Sequence, residues 1–132
     1  MAASLLPDLG QVCHVEIRGR LHKREFDAVQ VPVAERIRRT GPIRLLIELV
    51  DFEGWAADGD WNDIGFFIRY GNDIERIAIV GDERWRDESL MFASADLRRG
   101  DVAFFPSSDR AQAVAWVAKD DRERRAETAG NA

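Results

Sequence analysis

The hydrophobic period of this chain switches repeatedly between two residues and about 3.6, and that alternation restricts it to α/β architectures with mostly parallel strands. Over residues 12–18, Cys13, Val15 and Ile17 share one face, while His14, Glu16 and Arg18 share the other, which predicts a strand with one dry face. From His22 to Thr40 the period lengthens. Phe26, Val29, Val33 and Ile37 recur in steps of three and four and predict a helix. Pro32 falls inside that stripe, so a kink or a restart at Pro32 is expected, and Gly41-Pro42 supplies the stop. Residues 43–50 are apolar apart from Arg44 and Glu48, as in a buried central strand.

Trp61, Ile64 and Ile68 mark a second helix that Asp58 or Asp60 could cap. A third strand is expected over 75–80 and a third helix over 83–97, carrying Trp85, Phe92 and Ala93. A fourth strand follows over 102–105. The last helix opens after Pro106 with Ala113, Trp116 and Val117 as its stripe. This order predicts a mixed four- to five-stranded sheet joined by right-handed crossovers. Polar residues on one face of the first two strands place the helices mainly on the other face. The semi-polar face is then left for a partner. Residues 1–119 are read as one domain and 120–132 as a charged, disordered tail.

A length of 132 residues suits a single core, and no apolar run approaches the roughly 20 residues that span a bilayer. The N-terminus lacks the basic n-region and long apolar stretch of a signal peptide. Cys13 stands alone and has no internal disulfide partner, so a cytoplasmic location is expected. The net charge of −5, with both signs mixed along the chain, argues against nucleic acid as a partner. Arg36, Arg38 and Arg39 sit in a last helical turn, where the helix dipole favours cations.

The junction from Arg44 to Trp55 runs from an apolar strand into an acidic, aromatic loop with a helix expected to follow. In α/β folds ligands gather at such junctions. Glu48, Asp51, Glu53, Asp58, Asp60 and Asp63 match no calcium-loop spacing, and helix capping accounts for them without a metal. Glu48 is expected on the exposed side of the sheet, paired with His14 or an arginine. Cys13 and His14 point to opposite faces of a strand and cannot act as a pair. Neither a Gly-x-Gly-x-x-Gly nor a Walker pattern occurs, so no cofactor is expected. Trp61 and Trp85, each on a helical stripe, read first as core. Phe66 and Phe67 are adjacent, so one of them is expected to meet a ligand, a helix or a second subunit. Trp55, in a loop after glycine, is the aromatic residue least explained by core packing. Asp51, Phe52, Glu53, Trp55, Trp61 and Phe66 are therefore the candidate contact residues.

An ordered series of segments carries a family resemblance: Val15-Glu16-Ile17-Arg18-Gly19, the helix with Pro32, Ile43-Arg44-Leu45-Leu46, Asp51-Phe52-Glu53-Gly54 and Trp61. Residues 75–82, Trp85 and residues 102–106 complete it. Over about residues 5–119 the chain resembles the SpoIIAA-like family, small bacterial relatives of STAS domains that share a fold type with CRAL-TRIO lipid-binding domains. The resemblance implies a (βα)n superhelix with a mixed sheet, often a homodimer. STAS anti-anti-sigma factors carry a phosphorylatable serine at the start of the helix after the central strand, in a pattern like Asp-Ser-Ser-Gly. Residues 51–60 of this chain contain neither serine nor threonine, so no hydroxyl there can receive a phosphate. The function expected is that of a non-enzymatic interaction or regulatory domain with a homodimeric or protein partner. The alternative is a carrier of a small hydrophobic, lipid-like ligand.

Overall fold

The strand pattern produces a single sheet. The structure is a computed structural model and describes residues 3–57, 73–93 and 101–119. Its strands are β1 (Ala3–Leu9), β2 (Val12–Leu21), β3 (Ile43–Trp55), β4 (Ile74–Gly81) and β5 (Asp101–Pro106). The helices are α1 (Lys23–Thr40), α2 (Arg86–Phe92) and α3 (Arg110–Ala118). Strands lie in the order β1-β2-β3-β4-β5. β1 is antiparallel to β2, and the other neighbours are parallel. The sheet is therefore mixed, as expected. The helix expected around Trp61 to Ile68, the third helix beyond Ala93 and the tail from Asp120 lie outside the described residues.

The periodicity did not mark β1, because Pro7 and Asp8 interrupt its alternation. Its register shifts between Leu6 and Leu9, and Gly10 turns the chain into β2 with φ +63°. A proline and a register shift on an outer strand blunt it against pairing with other chains. α1 is one unbroken helix with Pro32 inside it, so the expected restart does not occur. The bond that Pro32 cannot donate is offset by burial of Phe26, Val29, Val33 and Ile37, the stripe read from the sequence.

β3 is also longer than expected. The stretch read as a loop, residues 51–55, continues as strand because it still pairs with β2, through Gly19–Phe52, Arg20–Gly54 and Leu21–Trp55. Asp51 and Glu53 are the extra residues of that irregular pairing.

Helices cover the sheet unequally. α1 and α2 pack on one face, over Cys13, Val15, Ile17, Leu45, Ile47, Ile77 and Ile79. α3 lies on the opposite, semi-polar face, where Ala113 and Val117 meet Val12, Leu46, Ala78 and Val80. Over the central strands, the occupant of that face is thus the chain's own last helix. Charged side chains hold both of its ends. Arg76, 2% exposed, donates from Nη1 to the carbonyls of Trp116 (2.8 Å) and Lys119 (3.0 Å), and Arg44 donates to that of Ala118 (3.0 Å). These arginines satisfy carbonyls that a helix end leaves unpaired and favour the negative end of its dipole. At the other end Arg110 pairs with Glu48.

Candidate functional site

The C-terminal ends of β3, β4 and β5 converge on an open cleft of about 390 Å³. Its geometry begins with two unusual backbone positions in β3. Asp51 has φ +48°, which aspartate tolerates better than a branched residue would. Gly54 has φ +102°, and a Cβ there would lie 3.2 Å from the Trp85 ring. Together they let β3 bulge past β2 while carrying Asp51 and Glu53 outward, with Phe52 turned into the core.

Gly81 closes β4 so tightly against Leu49 that a Cβ would stand 2.9 Å from Leu49 Cβ. Asp82 then accepts the backbone N–H of Arg84 at 3.0 Å and starts the tight turn Glu83–Trp85. That turn brings Arg84 and Trp85 to the cleft wall, and Ser107 arrives from the turn after β5. The guanidinium carbon of Arg84 lies 4.9 Å from the Trp85 ring centroid. Arg84 Nη2 reaches the Phe52 carbonyl at 3.5 Å. Asp51, Glu53, Asp82 and Arg84 are all exposed, and among the described residues no ion pair joins any of them to another group.

An aromatic cluster floors the cleft. Phe52 contacts Trp55 at 4.9 Å and Trp85 at 5.0 Å between ring centroids, and Trp55 contacts Phe92 at 5.3 Å. Phe26 meets Phe92 edge-on at 4.8 Å. Such offset and edge contacts are the favoured arrangements of aromatic pairs. The apolar space left among Ile17, Ile47, Trp55, Ser89 and Phe92 measures about 10 Å³, room for about one water molecule and not for a lipid chain.

The structure thus separates the candidate residues. Asp51 and Glu53 line the cleft, Phe52 forms its floor, and Trp55 packs below in the cluster, which accounts for it as a core-facing side chain. Trp61 and Phe66 lie outside the described residues. Asp82, Arg84 and Ser107 were missed, because they come from two other strand ends. The signals that could have found them are Gly81-Asp82 and Pro106-Ser107, each placed directly after a strand.

Elsewhere, Glu48 joins His14 and Arg110 on the second face, with His14 Nε2 3.2 Å from Glu48 Oε2. Cys13 is fully buried in the main core. Burial pushes its thiol pKa up, Asp8 adds to that shift, and Arg36 opposes it. Among the described residues no group of three or more His, Cys, Asp or Glu side chains is placed to hold a metal ion. No described helix is long and apolar enough to cross a membrane.

A mixed sheet with parallel central strands, helices on both faces and an open cleft at the strand ends defines a small α/β domain. The chain belongs to the SpoIIAA-like family, whose model matches residues 12–118. It is similar to the crystal structure of an uncharacterised DUF3478-family protein with a SpoIIAA-like fold from Shewanella loihica PV-4. The two share 17% identity and a TM-score of 0.68, over 89% of this chain and 93% of that one. At that identity the likeness shows the fold alone. Comparison with curated proteins gave no match. Membership in the family supports a regulatory or interaction domain in general.

Proposed function

We propose that this chain is a non-enzymatic regulatory domain that binds another protein chain, with the rim of the cleft as its contact surface. The observation that carries this reading is the cleft itself. It is open, polar and placed at the C-terminal ends of parallel strands, where α/β domains engage ligands. Its exposed carboxylates and Arg84 are free of internal ion pairs among the described residues and are available to a second surface. The aromatic floor beneath is packed down to about 10 Å³, which favours a surface contact over an enclosed lipid.

Native mass spectrometry of the full chain tests this reading. A homodimer, or a complex with an added partner protein, is the expected species. A retained lipid-sized adduct on a monomer would overturn the reading in favour of a carrier. An adduct-free monomer at every concentration up to about 100 µM, where even weak dimers should populate, would exclude the homodimer.

A further inference from the structure

We propose that His14 is a proton-operated catch for α3: when its imidazole takes up a proton, Glu48 turns to it, releases Arg110, and the start of the helix loosens. The parts stand on the second face of the sheet. His14 is 6% exposed, and its buried Nε2 lies 3.2 Å from Glu48 Oε2 yet has no hydrogen-bond partner. The other oxygen of the same carboxylate accepts from Arg110 Nε. One carboxylate thus stands between two groups that can each claim it, and only the arginine is charged at every pH.

α3 depends on that carboxylate. The helix buries only Ala113 and Val117, and Asp109 at its N-cap makes no side-chain capping bond. Arg110 occupies the first helical position, where the dipole disfavours a cation, so Glu48 is what keeps it there. Among the described residues Arg110 has no other ionic partner. The remaining charges around His14 are engaged elsewhere or lie at the ends of α3. On β2, Glu16 pairs with Arg18. β1 sets Leu6 opposite His14 and Ser4 opposite Glu16, and its Asp8 pairs with Arg36 of α1. β3 sets Leu46 opposite His14. On α3, Asp109 stands at the near end, while Arg44 and Arg76 hold the far end.

Burial gives the direction. A proton on His14 puts positive charge where water barely reaches, which is costly unless a carboxylate answers it. The Glu48 side chain is only 13% exposed, whereas that of Arg110 is 49% exposed and loses little by returning to water. The two cations also repel each other across the shared carboxylate. Arg110 is therefore the partner that leaves. Ser107, on the cleft wall, belongs to the turn that leads directly into Arg110, so a loosened helix start reshapes that side of the cleft. This consequence, a pH-sensitive contact surface, rests on the interaction reading above; the catch itself does not.

The test uses the full chain without a partner, labelled with nitrogen-15. Amide signals of residues 107–112 are followed from about pH 8 to about pH 5.5, across the ordinary imidazole range. They are expected to move together in one step. Hydrogen-exchange protection of the Ala113 and Val114 amides, which close the first turn of α3, is expected to fall about threefold after correction for intrinsic rates, the scale of a half-exposed ion pair. His14→Gln and Glu48→Gln are each expected to abolish the step. Arg110→Ala is expected to show the lower protection already at about pH 8. His22 is the other histidine of the chain, and His22→Gln is expected to leave the step in place.

Absence of the step in the native chain overturns the proposal, as does its persistence in His14→Gln or its loss in His22→Gln. Protection that rises on acidification also overturns it, by showing Glu48 holding both cations at once. If His14→Gln does not fold, persistence of the step in Glu48→Gln or of full protection in Arg110→Ala overturns it instead. Because no partner is present, a missing step sinks this inference alone, whereas an adduct-bearing monomer in native mass spectrometry sinks the interaction reading and leaves the catch standing.

Discussion

Gly54 shows how much one residue decides at the cleft. Its φ of +102° and the 3.2 Å between a would-be Cβ and Trp85 combine backbone strain with a clash. Gly54→Ala is expected to cost about 1–3 kcal/mol in urea unfolding and to shift the Trp85 fluorescence, because either the strand or the indole must move. Asp51, three residues earlier, is the only described non-glycine residue at positive φ. Asp51→Asn is expected to be nearly neutral for stability, whereas Asp51→Val is expected to cost about 1–2 kcal/mol, since a branched side chain is poorly tolerated in the left-handed region.

Cys13 yields a prediction in pH. Its folded pKa lies above its ordinary value, so on raising the pH the unfolded chain releases the thiol proton first. Its contribution to stability is complete below the ordinary thiol range near 8.5 and declines as the pH rises through it. Cys13→Ala is expected to flatten that alkaline decline in urea titrations. Labelling of the thiol by a disulfide reagent is expected to be slow until the protein unfolds.

Among the elements, α3 is the most dependent on charge. Its 9 residues bury Ala113 and Val117, a small apolar contribution, while Arg44 and Arg76 hold its last carbonyls. Arg76→Met keeps most of the side-chain volume but removes the guanidinium donor from the Trp116 and Lys119 carbonyls, the first of which keeps its longer bond from the Lys119 N–H (3.3 Å). A loss of about 2–3 kcal/mol is expected, with faster amide exchange confined first to α3. Arg110→Ala removes a half-exposed partner of Glu48 and is expected to cost no more than about 1 kcal/mol.

The same helix explains a limit of sequence reading. The alternation of His14, Glu16, Arg44 and Glu48 showed a semi-polar face, and the stripe of Ala113, Trp116 and Val117 showed an amphipathic helix. That the one covers the other depends on contacts separated by 74 residues for Arg44 and Ala118, which no local period records. β1 was illegible for a different reason. Its strand conformation comes from pairing with β2, and Pro7 and Asp8 remove the alternation that would announce it.

For the whole molecule, the sheet order sets a gradient of stability. β3 has strand neighbours on both sides, and its core side chains meet α1 and α2 on one face and α3 on the other, whereas β1 and β5 end the order. Hydrogen exchange is expected to be slowest in β3, slow in β2 and β4, and fastest in β1 and at the C-terminal end of α3. Protection in β1 equal to that in β3 would show a second chain paired along the outer edge, despite Pro7.

The sequence by itself determined the α/β class, the parallel central strands, the buried stripe of α1 and the resemblance to SpoIIAA-like domains, because each rests on local periodicity or on ordered segments. It also placed Asp51 and Glu53 at a strand end. Only the tertiary structure decided that this strand end joins Asp82, Arg84 and Ser107 in one cleft, that Trp55 belongs to the packed floor, and that α3 occupies the second face. The physical reason is the same for all three. They depend on which distant strand lies alongside, and burial and pairing across the sheet settle that while the local pattern is indifferent to it.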